Sequence, residues 1–208
     1  MGELPNVLNE IIFATIKIRM ATTAKLKTVS ELAPDQWVVG EVKKTRGASM
    51  ASVSEHDKTV ITFRLDVPVR APFGLSQFNE KNLDLSIEND ELLASLQKLD
   101  AWACKHAGNL GVAADGYSPL MKQKDGLHAP LLRTKINTQY VRVWGKDGEP
   151  DVEFDYAALH GASLQLVIRL RGFWVHSGRW GLLLQAQDLL VLDRTATASV
   201  SPFVSTVE

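Results

Sequence analysis

Residues 171–181, RGFWVHSGRWG, crowd two arginines, a histidine, two tryptophans, a phenylalanine and three glycines between two long apolar runs. Two such runs joined by a Ser-Gly pair make a β-hairpin, and this one carries flat rings beside positive charge near its tip. The mixture suits one chemistry in particular. A base of an unpaired strand stacks on a ring at ~1–3 kcal/mol while a neighbouring cation neutralises the phosphate. Along the strand that leads to the tip, alternation puts Leu164, Leu166, Ile168 and Leu170 on a core face, and Gln165, Val167, Arg169, Arg171 and Phe173 on the other. Trp174 counts with the core side unless a bulge at Gly172 turns it outward. Trp180 and Arg179 stand on the return strand.

A second stretch, residues 117–145, interleaves Lys122, Lys124, Arg133, Lys135 and Arg142 with Tyr117, Tyr140 and Trp144. Rings alternating with cations are what a nucleic-acid groove needs. A third cluster, Lys43, Lys44 and Arg46, closes the first strand. A core reading of Trp174 and Trp180, and a solvated-face reading of the cations, stand beside the binding one.

Signals for catalysis are poor. The five histidines, His56, His106, His128, His160 and His176, lack metal-ligand spacing, and there is no phosphate-binding Gly-rich loop or nucleophile elbow. Asp151, Glu153 and Asp155 alternate within a hydrophilic turn and read as a solvated acidic loop rather than a cation site. No catalytic residue, metal or cofactor is expected.

The elements that must position these residues follow from periodicity. Residues 36–44 read as a strand with Trp37, Val39 and Val42 inward around a bulge at Gly40, followed by a loop over TRGASMASVSEHD. Residues 58–67 alternate, with Ile61, Phe63, Leu65 and Val67 inward, and Leu83, Leu85 and Ile87 mark a further short strand. One helix spans 89–107: Asn89 caps it, Leu92, Leu96, Leu99, Trp102 and Ala103 form its stripe, and Gly108 ends it. Tyr156–Leu159 form a helical turn, and the strands Leu164–His176 and Arg179–Leu192 close the domain. Strands, one helix and more strands, without β-α-β rhythm, predict an all-β fold: a five-stranded antiparallel OB barrel with a central helix and extensions.

The 208 residues, 45% hydrophobic and 23% charged, suffice for one domain. We expect an arm over 1–24, the domain over 25–193 and a loose tail over 194–208. The formal net charge of -1 hides segregation, since residues 117–146 hold six Lys or Arg against one Asp. The lone Cys104 excludes an internal disulfide. No apolar run reaches the ~20 residues of a membrane span, and Glu3 and Glu10 stand where a secretion signal is basic, so an intracellular location without membrane is expected. Asn6, where Ser or Thr is wanted, argues against myristoylation at Gly2.

In order and spacing, APFGLSQFNEKNLDLSIEND, a helix containing LQKLD, YSPLMKQKDGLHAPLLRTKI and GFWVHSGRWGLLLQAQDLLV resemble the motifs of a known family. It is the OB-fold single-stranded DNA-binding proteins of large nucleocytoplasmic DNA viruses, which are similar to the replication proteins of this type in short-tailed phages. The resemblance covers residues 25–193. It implies a protein that coats single strands during replication, recombination and repair, commonly as a homodimer, at sites of DNA replication, with replication proteins as further partners. It carries over Pro72, Phe73 and Gly74; Tyr117, Ser118 and Pro119 with Lys122 and Lys124; and Trp174. The chain departs from the pattern at Trp180 and at its C-terminus, TATASVSPFVSTVE, which has one acid where the phage proteins carry an acidic tail. Two other readings remain: a virion or scaffold protein whose arm and hairpin add strands to neighbours, and an RNA-binding OB protein.

Overall fold

The computed structural model describes residues 26–45, 47–76, 79–123 and 128–193. The expected arm and tail, and with them Arg46 and Lys124, lie outside the described residues. In chain order come β1 (Lys27–Thr28), β2 (Val38–Thr45), β3 (Ala48–Ser54), β4 (Thr62–Arg64), β5 (Val69–Ala71), β6 (Leu75–Ser76) and β7 (Asn79–Ser86). The helices α1 (Asp90–Cys104) and α2 (Ala107–Leu110) follow, then β8 (Met121–Lys122), β9 (Leu131–Lys135), β10 (Arg142–Trp144), β11 (Ala162–His176) and β12 (Arg179–Asp193).

Five strands close on themselves in the order β11, β5, β7, β9, β12 and back to β11. A ring with an odd number of strands cannot alternate direction throughout, so one seam must be parallel. Here it is β9–β12, through Gln185↔Lys135, while the other four seams are antiparallel. This closed barrel with one main helix is consistent with an OB fold. The long β11 outruns the barrel, and its free side takes β5, β4 and β3 in turn, with β2 beyond β3.

Alternation selects the core. Phe63, Leu65, Leu83, Leu85, Leu132, Leu164, Leu166, Ile168 and Leu170 are all buried inside. The Asn89 side chain accepts from the Leu92 N–H at 2.8 Å and starts α1, whose Leu92, Leu96, Leu99 and Trp102 complete that core. Trp102 stacks on Phe173 at 5.7 Å and meets Trp37 edge-on at 5.1 Å.

Several expectations needed correction. The helix stops at Cys104, Gly108 falls inside α2, and Gly111 (φ +64°) is the left-handed residue that ends the segment. The loop expected after residue 44 contains β3, paired with β2 from Thr45↔Ala48 to Val38↔Ser54. The strand expected over 58–67 shrinks to Thr62–Arg64, though Ile61, Phe63 and Leu65 do point inward. Val42 is 38% exposed rather than core.

Candidate nucleic-acid interface

Register assigns the outward residues to rows, because partners across a ladder project on the same side of the sheet. One row crosses five strands: Thr62 on β4, Arg169 on β11, Gln185 on β12, Lys135 on β9 and Asn82 on β7. At ~4.8 Å per strand it runs about 19 Å across the barrel wall. A neighbouring row runs Arg64, Val167, Asp188, Arg142. A third joins Lys43, Met50, Trp174 and Gly181. Along β9, Arg133 follows Lys135, and Lys122 of β8 lies beside Leu131 on that same outer side.

The cations on this face fall into two kinds. Arg133 donates twice to Asp84 at 2.7 Å, and Arg142 grips the buried carboxylate of Asp188 at 2.7 and 2.8 Å. Their charge is offset within the protein. Arg64, Arg169 and Arg171 have no ion pair among the described residues, and the Nε–H groups of Arg64 and Arg169 are buried without an acceptor. Arg171 donates to Gln185 at 3.0 Å, and Lys135 donates to Asn82 at 2.6 Å. Burial, and then the positive neighbours Arg133 and Lys81, hold the Lys135 ammonium below its ordinary pKa, as a crowd of like charges does. A buried guanidinium N–H without an acceptor costs ~1–3 kcal/mol. The Arg64 and Arg169 charges are balanced by no acid among the described residues, and an anion beside this row would balance them.

The bulge decides the rings. The β11–β12 register shifts between Leu170 and Gly172, where Gly172 has φ +125° and its backbone passes so close to Ala51 that a Cβ would collide. Beyond the shift, Phe173 turns inward and is fully buried, whereas Trp174 turns outward and is only partly buried. Phe173 therefore leaves the outer face on which simple alternation placed it. Trp144 is the second ring on this face. Its indole N–H donates to Asp188 at 2.9 Å, and the Arg142 guanidinium lies 6.0 Å from its ring centre.

Trp180 is a correction: it is fully buried, donates to the Ala113 carbonyl at 2.8 Å and has no ring face for a base. Tyr117 is largely taken as well, packed on Trp180 at 4.7 Å with its hydroxyl donating to Asp100. Phe73 and Tyr140, 61% and 76% exposed, sit on turns outside the rows. Lys44 belongs to the opposite face of β2, and Arg179 is at the exposed hairpin tip. Arg64 and Met50 were missed. The 58–67 alternation had already put Arg64 on the polar side, and pairing with β11 is what brings it to Arg169. Among the described residues no group of His, Cys, Asp or Glu could hold a metal.

Among solved structures the chain shows likeness to three of one bacteriophage protein. For the single-stranded DNA-binding protein from bacteriophage Enc34 the TM-score is 0.45 at 14% identity, covering 78% of this chain and 96% of that one. The same protein in complex with ssDNA gives 0.41 and 13%, over 74% and 94% of the two chains. Its C-terminal truncation gives 0.43 and 13%, over 76% and 96%. No protein-family model and no curated protein matches the chain.

Proposed function

We propose that this chain binds single-stranded DNA along the outer face of its barrel, without reading base sequence and without catalysis. The observation that carries the reading is the row through Arg169 and Lys135, with Arg64 beside it: neighbouring cations on one outer face, the two arginines without an ion pair among the described residues. Phosphates offset guanidinium charge that no acid among the described residues balances, and Trp174 and Trp144 offer rings to the bases between. A duplex hides its base faces, so rings favour an unpaired strand, and stacking is tolerant of sequence. In this reading the protein coats and protects strands during replication, recombination or repair, inside the cell where DNA is replicated. It acts as a homodimer, with replication proteins as further partners.

Titration with oligothymidine tests it. Tryptophan fluorescence should be quenched, and affinity should fall steeply with salt as counterions are released. Absence of quenching together with salt-independent binding rules the reading out.

A further inference from the structure

Among the described residues β2 pairs with β3 alone, so one side of this eight-residue strand is an open edge. Such an edge presents unpaired N–H and C=O groups to any chain that can align with it. The register shift between Val39 and Val42 sets Gly40 and Glu41 together against Ser52, where a Gly40 Cβ would meet the Ser52 hydroxyl at 2.6 Å. Glu41 and Lys43, two apart, then share the outer side, both are exposed, and neither has an ion-pair partner among the described residues. Val42 between them is 38% exposed.

We propose that β2 is the dimer interface: β2 of one copy pairs antiparallel with β2 of a second copy about a two-fold axis through Val42. The proposal rests on the homodimer named above and gives it an address. The open backbone groups fall on alternate residues of one strand, so a two-fold antiparallel pairing places its axis on a residue rather than between two. With Glu41 on the axis, two carboxylates face each other; with Lys43 there, two ammonium groups do. With Val42 on the axis, Glu41 of each copy faces Lys43 of the other, and the two Val42 side chains meet. Opposite charges directly across a ladder stabilise it, and like charges destabilise it. Among registers centred on Glu41, Val42 or Lys43, the charge pattern thus selects the one centred on Val42. Because the pairing uses the same edge of both copies, it closes at two chains and leaves no free β2 edge to propagate. It also joins the outer faces of two barrels into one surface.

Light scattering on the full chain tests this, the expected mass being twice the 22.9 kDa of one copy. Glu41→Lys and Lys43→Glu alone should each raise the dimer dissociation constant by about tenfold or more, and the double exchange should restore it. A monomeric wild-type protein overturns the homodimer itself. A wild-type dimer that neither single variant weakens overturns the β2 address and leaves the homodimer standing. Single variants that weaken the dimer without rescue by the exchange overturn the proposed register.

Discussion

A tryptophan serves a nucleotide only through a ring face the fold leaves uncovered, and by that criterion Trp174 and Trp180 part company. Trp174→Ala should weaken oligothymidine binding by ~1–3 kcal/mol with little change in the unfolding midpoint. Trp180→Ala should cost about 3–5 kcal/mol of stability, because it empties a fully buried site and strips the Ala113 carbonyl of its donor. Denaturant titration beside fluorescence binding separates the two, and a reversal of the pattern would contradict the assignment of faces. Residue types alone left both tryptophans open to either role. Deciding between them takes the Gly172 bulge, where β3 lies so close to β11 that a Cβ would meet the Ala51 carbonyl. No alternation count along one strand contains a contact more than a hundred residues away in the chain.

Elements were legible where their signal is local. The Asn89 cap and the Leu92–Leu96–Leu99–Trp102 stripe gave α1, and the two apolar runs gave β11 and β12. The strand β3 was hidden, because ASMASVS is small and polar and owes its strand form to β2 and β11 on either side. The link between α1 and the hairpin was hidden as well. Asp100 on α1 accepts from the Tyr117 hydroxyl and the Leu120 N–H, while Tyr117 leans on Trp180. Burial raises the Asp100 carboxyl above its ordinary pKa, and the two donors pull it back only in part. The native state therefore holds this proton more tightly than the unfolded chain does. The group's contribution to stability is greatest when it is protonated, and declines as pH rises from the ordinary carboxylate range through the raised native value. Asp100→Asn keeps an acceptor and drops the charge. Relative to wild type, its stability should improve as pH rises out of the ordinary carboxylate range and level off once the raised native value is passed, and a trend in the opposite direction would show that the carboxylate is favoured by its site. Asp100→Ala, which orphans both donors, should be destabilised throughout.

At the scale of the whole molecule, the expectation of an OB barrel rested on element order, and closure adds what order cannot: the parallel seam that an odd ring demands. That seam brings Lys135, from the basic stretch before the acidic turn, to Gln185, and the β11–β12 ladder carries it on to Arg169. Lys43, Arg133 and Arg169, far apart in sequence, come to the outer face through this ladder and the pairing of β3 with β2 and β11, with Arg64 added from β4. If the surface works as a unit on phosphates, its charge must register in the salt dependence and not in affinity alone. On a single strand each neutralised phosphate contributes ~0.7 to the slope of log affinity against log salt. Replacing Arg64 and Arg169 together by Ala should therefore lower that slope by about 1.4, one phosphate for each guanidinium. Trp174→Ala should weaken binding at every salt concentration and leave the slope where it was. An arginine pair that lowers affinity at constant slope would be shaping the wall rather than touching the backbone of the DNA, and the row would lose its claim to be the contact surface.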